Sequence, residues 1–188
     1  MRVGVIMMSA VLVCAIPQAS RAQVSTPSEN TVAIGGDVGF LGSGAESLDG
    51  GTGHVDAFVE YYYTSRSSLR GMYGWARPEF EAASGRSLRR QHVTLNYVYN
   101  WQVHRFRPFA TIGGGAYFLH RREGGESLGE GVTRPGANVG LGVEYYLRTF
   151  AIKSEMNVHI LSNDKHFAEL DGATLSAFTW TFGLKVPF

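Results

Sequence analysis

The chain has little of what disulfide scaffolds, thiolate metal sites and nucleic-acid binders require. It contains one cysteine, Cys14, inside its first apolar stretch. Once that stretch is removed, neither a disulfide nor a thiolate metal site can be built. Its 17 basic and 16 acidic residues give a formal charge of +1, too balanced to leave a footprint for nucleic acid. No apolar run reaches the roughly 20 residues of a transmembrane helix. Beyond the first two dozen residues, nothing sustains the 3.6-residue period of a helix.

What is there begins with an export signal. Arg2 supplies the charged start, residues 3–16 the apolar stretch, and Pro17 its end. Ser20 and Ala22 are small residues at the positions a signal peptidase reads, so cleavage is expected after Ala22. Cys14 is preceded by Val13, whereas a lipidation site wants a small residue there. The expected organisation is a signal peptide over 1–22, a short periplasmic lead-in over 23–30, and one domain over 31–188. Cleavage removes Arg2 and Arg21 and no acid, leaving a formal charge of −1.

The remaining sequence alternates. At its end Phe178, Trp180, Phe182, Leu184, Val186 and Phe188 share one face, while Thr179, Thr181, Gly183 and Lys185 share the other. One face suits hydrocarbon and the other polar partners, the dyad pattern of a strand in a membrane barrel. Seven earlier segments have the same period, near residues 31–41, 54–63, 68–77, 92–102, 106–119, 137–147 and 150–160. The fifth contains Gly113, Gly114 and Gly115, and its faces are ambiguous. Most segments match the 9 to 11 residues of a tilted bilayer crossing.

Link lengths point the same way. Short links near 64–66, 104–105 and 148–149 alternate with long ones near 42–53, 78–86, 120–135 and 161–172. Short periplasmic turns alternating with long outside loops, both termini periplasmic, define an up-and-down barrel of eight strands in the bacterial outer membrane. A soluble sandwich or lipocalin-like barrel would turn the same apolar faces inward and has no need of that alternation.

The polar faces of such a barrel must satisfy one another. A two-residue turn at Arg148 and Thr149 puts Glu144 opposite Lys153, and a three-residue link at 64–66 puts Glu60 opposite Arg70. Glu60, Arg70, Glu144, Lys153, Glu155 and Lys185 are therefore expected to form an internal salt-bridge network. Tyr61, Tyr63, Trp75, Trp101 and Trp180 are expected in the lipid-facing aromatic girdle. An eight-stranded barrel is about filled by its own side chains, which weighs against a pore.

With Arg107, Pro108 and Phe109 leading into the glycine-rich fifth strand, the aromatic alternation and Phe188 at the end, the chain resembles the small eight-stranded outer-membrane barrels related to OmpA and OmpX. The resemblance spans residues 31–188. It implies a monomeric envelope protein in contact with outer-membrane lipid and lipopolysaccharide, with Phe188 as the assembly signal read by the barrel-insertion machinery. It implies no cofactor and no OmpA-type wall tether, since no peptidoglycan-binding domain follows Phe188.

The expected role is structural or surface-interactive, carried by the long loops, with a narrow porin-like channel as the alternative. A second alternative is a lipid A 3-O-deacylase, because His159, Ser162 and Asn163 faintly resemble that family's cluster, with Glu169 or Asp171 as the acid. Two residues separate His159 from Ser162 where that family has one, which in a strand turns the two side chains to opposite faces. His54, His92, His104, His120, His159 and His166 show no close same-face spacing, so no metal site is expected. The glycines Gly113 to Gly115 are read as a place where the strand bends or side chains meet bare backbone, not as a phosphate cradle.

Overall fold

The computed structural model describes residues 26–43, 51–77, 86–101, 105–123, 126–127, 131–162 and 176–188. The expected export signal lies outside them. The strands are β1 (Thr31–Ser43), β2 (Thr52–Tyr62), β3 (Ser67–Ala76), β4 (Arg86–Asn100), β5 (Phe106–Glu123), β6 (Glu126–Ser127), β7 (Val132–Tyr146), β8 (Ala151–Leu161) and β9 (Ala177–Pro187). β6 is a two-residue strand paired to the end of β5. The other eight pair antiparallel in sequence order, and β9 returns to β1. The sheet is a closed barrel, and no helix occurs among the described residues.

Closure has a definite stagger. Val32 of β1 faces Tyr61, and the circuit continues through Leu69, Tyr97, Ile112, Val139, Val158 and Phe178 before it returns to β1 at Gly42, ten residues on. A shear of ten over eight strands corresponds to a tilt of about 40°. An even shear keeps each strand's two faces in phase around the barrel. The apolar set thus stays outside and the polar set inside.

The exposure pattern is the reverse of a soluble protein's. Leu141 is 63% exposed, Leu95 62% and Ile112 61%, while Glu60, Lys153 and Lys185 are each 0% exposed. Such a surface is stable only against hydrocarbon.

Two departures from the sequence reading concern the region around the long link expected at 120–135. β5 continues to Glu123 and β7 starts at Val132, so Pro135 lies inside a strand. Pro135 cannot donate to the ladder, yet its carbonyl accepts from Ser162 N at 3.1 Å. With 18 residues β5 is longer than a bilayer crossing, and its long-link end continues the hairpin beyond the apolar belt.

The phase of β5 is also resolved: Arg107, Phe109, Thr111 and Tyr117 are buried inside, and Ile112 points out. Gly113 and Gly115 face inward where β4 passes too close for a Cβ. One on Gly113 would collide with Leu95 O and Asn96, and one on Gly115 with Val93 O.

Candidate functional site

The lumen is filled in layers. Nearest the short turns lies a charged layer. Arg70 from β3 is its hub, with Nε 2.8 Å from Glu60 Oε2, Nη1 2.7 Å from Glu155 Oε2 and Nη2 3.7 Å from Glu144 Oε1. Its guanidinium sits between the rings of Phe58 and Phe109, 5.0 and 5.2 Å from their centroids. Lys153 Nζ lies 2.6 Å from Asp37 Oδ2 and 2.7 Å from Glu155 Oε2. Lys185 Nζ joins Glu144, donates to Tyr62 OH at 2.6 Å and lies 3.2 Å from Glu60 Oε2.

The other oxygens of the three glutamates are also occupied. Ser68 Oγ donates to Glu60 at 2.6 Å, Tyr146 OH to Glu144 at 2.8 Å and Asn157 Nδ2 to Glu155 at 2.9 Å. Arg107 closes the turn end, donating to Ser65 O at 2.6 Å with its guanidinium over Tyr62 and Tyr146. Asp37, Glu60, Glu144 and Glu155 thus balance Arg70, Lys153, Lys185 and Arg107. Neutrality matters because the idealised cost of an isolated ion in such an environment is tens of kcal/mol.

All six network residues expected from the sequence are in this layer, and the two proposed registers are those observed, Glu60↔Arg70 and Glu144↔Lys153. Pairing across the second differs from expectation. Lys153 turns to Asp37 and Glu155, and Glu144 takes Lys185 and Arg70. The tilt of the strands brings residues from non-adjacent strands over one another, and turn counting cannot register that. Asp37 and Arg107 were not foreseen as members. Asp37's signal was present as a lone acid on the polar face of β1. The expected girdle residues Tyr61, Tyr63, Trp75, Trp101 and Trp180 all point outward.

Above the charges lies a layer of amides and hydroxyls. Asn138 Nδ2 donates to Asn96 Oδ1 at 2.6 Å, Asn96 Nδ2 to Thr94 Oγ1 at 3.0 Å, and Thr111 Oγ1 to Asn157 Oδ1 at 3.2 Å.

Toward the long-link end a third layer collects His54 and Asp56 from β2, His92 and Arg90 from β4, Tyr117 from β5 and His159 from β8, all buried. His54 Nε2 is 2.8 Å from Asp56 Oδ2 and His92 Nε2 is 3.5 Å from Asp56 Oδ1. The His54 and His92 rings stack with centroids 5.7 Å apart, and His159 lies 5.3 Å from His92. Sequence spacing missed this cluster because its members come from different strands. The only local signal is the i, i+2 pair His54 and Asp56. His104 and His166 lie outside the described residues. Leu41, Ala76 and Ala177 pack together at the same end of the barrel.

The His159 and Ser162 pair is not assembled. His159 points inward, its Nδ1 2.9 Å from Tyr117 OH and its Nε2 3.3 Å from Thr179 Oγ1, while Ser162 is exposed beyond the end of β8. Asn163, Glu169 and Asp171 lie outside the described residues.

A closed antiparallel barrel with hydrocarbon-compatible residues outside and a neutralised polar interior is an eight-stranded transmembrane β-barrel of the outer-membrane type. Solved structures agree on that fold. Neisserial surface protein A aligns with a TM-score of 0.67 at 12% identity, covering 85% of this chain and 100% of that one. The N-terminal barrel domain of Pseudomonas aeruginosa OprF gives 0.60 at 16%, covering 86% and 100%. Ail, the attachment invasion locus protein of Yersinia pestis, gives 0.59 at 17%, covering 85% and 99%. No family model and no curated protein matches the sequence.

Proposed function

We propose that this chain is a closed structural barrel of the bacterial outer membrane. In this reading it is a monomer with both termini periplasmic, it neither catalyses nor conducts, and it presents its long links as an interaction surface. The observation that carries the reading is the filled lumen. In its turn-end layer Arg70, Lys153 and Lys185 are bonded to Asp37, Glu60, Glu144 and Glu155 rather than lining a path, and Arg70, Lys153, Lys185, Glu60 and Glu144 are at most 1% exposed. Function on such a scaffold belongs to the loops.

Two further features support a surface role. Arg89 lies near the outer end of β4, on the outward-facing phase of that strand. A guanidinium group at that level suits the phosphates of lipopolysaccharide. Among the structural neighbours, the Yersinia pestis attachment invasion locus protein has also been solved with the heparin analogue sucrose octasulfate.

Planar-bilayer recording tests the closed state. The wild-type chain is expected to give no sustained conductance steps, and Lys153→Ala with Glu155→Ala is expected to introduce them. Sustained steps from the wild type would overturn the reading in favour of a narrow channel. Replacing residues 44–50 and 78–85 by Gly-Ser segments is expected to leave heat-modifiable gel migration intact while changing attachment of cells that display the protein.

A further inference from the structure

We infer that the long-link end of the lumen holds a binding site for one divalent transition-metal ion, with His54, Asp56 and His92 as its ligands. One ligand atom from each of the three lies within 4.8 Å of the others. The site rests on two independent observations. The first is the convergence of two imidazoles and a carboxylate, a donor set suited to zinc and its neighbours in the first transition row. The second is that His92, 1% exposed, has no hydrogen-bond partner on either ring nitrogen, and Asp56 Oδ1 and His54 Nδ1 have none either. Unbonded polar atoms this deeply buried are costly unless something satisfies them.

The backbone is shaped to admit these side chains. Gly74 on β3 lies between β2 and β4, and a Cβ there would collide with the His92 ring and Asp56 Oδ1. An ion at 2.0 to 2.2 Å from N and O donors sets its tetrahedral ligands roughly 3.4 Å apart. The 3.5 Å separation of His92 Nε2 from Asp56 Oδ1 is already close to that, whereas His54 Nε2 sits 2.8 Å from the other oxygen, Oδ2, so the carboxylate and His54 must shift to share one ion. The ion would replace the proton shared by His54 Nε2 and Asp56 Oδ2. That proton moves to His54 Nδ1, so the imidazole stays neutral.

Other groups at this level tune the site. His159 is engaged with Tyr117 and Thr179 and is not assigned as a ligand. Arg90, whose guanidinium lies 5.2 Å from the Tyr117 ring centroid, opposes a second positive charge. The buried side chains Leu41, Ala76 and Ala177 lie at this end of the lumen, so the ion is best offered during folding.

The test is to refold the untagged chain into detergent micelles with Co2+, remove free metal, and measure cobalt by elemental analysis and ligand-field absorption. The expected result is about one cobalt per folded wild-type chain, with an absorption pattern of nitrogen and oxygen ligation. His92→Gln and Asp56→Asn are each expected to lower retained cobalt at least tenfold, while His159→Gln retains it and Arg90→Met binds more tightly. Unboiled gel migration identifies the folded fraction of each variant. Less than a tenth of an equivalent on folded wild type, or undiminished cobalt on the folded His54→Gln/His92→Gln double variant, would overturn the assignment. The wild-type spectrum alone decides the matter should a variant fail to fold, since a spectrum without imidazole ligation also overturns it.

Discussion

Arg70→Met removes the hub of the charged layer without opening a large void, so it isolates the electrostatic part of lumen packing. Arg70 bonds Glu60 at 2.8 Å and Glu155 at 2.7 Å, and both carboxylates are essentially unexposed. Without it, Glu60 keeps Lys185 and Ser68, and Glu155 keeps Lys153 and Asn157. The layer nevertheless becomes net negative, with four carboxylates facing three cations. Removing one partner from a buried ion pair costs about 3–5 kcal/mol. At about 1.4 kcal/mol per factor of ten, the unfolded fraction rises by roughly two to three and a half orders of magnitude.

Urea titration of folding in detergent micelles, followed by the fluorescence of Trp75, Trp101 and Trp180 and by unboiled gel migration, measures that loss. Adding Glu155→Gln restores the charge balance, so the double variant is expected to be less destabilised than the sum of the single ones by about 0.5–3 kcal/mol. A single variant within about 0.5 kcal/mol of wild type, or strictly additive losses, would refute the view that charge balance holds the lumen together.

Other perturbations probe the remaining surfaces. Leu141→Arg, on the lipid face opposite Met156 at the centre of β8, is expected to cost about 2–4 kcal/mol in vesicle folding, as a cation at the bilayer midplane does. Gly74→Val forces the His92 ring and Asp56 apart and is expected to cost about 1–3 kcal/mol by urea titration. Lipid A from cells making the protein is expected to have the same mass as lipid A from cells lacking it, and loss of an acyl chain prevented by Ser162→Ala would establish the deacylase alternative.

Much of the barrel was legible because a strand in a membrane wall obeys a period of two that polar and apolar side chains cannot both violate. Val93, Leu95 and Tyr97 against His92, Thr94 and Asn96 already state which side meets lipid. Glycine has no side chain to declare a face, so β5 could not be phased across Gly113, Gly114 and Gly115; the registers with β4 and β7 phased it. Pro135 looked like a link residue because proline weakens a ladder. Inside the barrel the pairing of its neighbours on both sides outweighs that loss.

The sequence by itself determined the eight strands of the barrel, the two faces of all of them but β5, and the register across two of the short turns, and hence that Glu60 lies opposite Arg70 and Glu144 opposite Lys153. These are local quantities, set by side-chain alternation and turn length along one hairpin at a time. Only the tertiary structure decided which charges bond across the lumen, that Asp37 and Arg107 complete the balance, and that His54, Asp56 and His92 converge. Those contacts depend on the shear of the closed barrel, a property of all eight strands together, which tilts each strand so that its inward side chains meet partners several strands away.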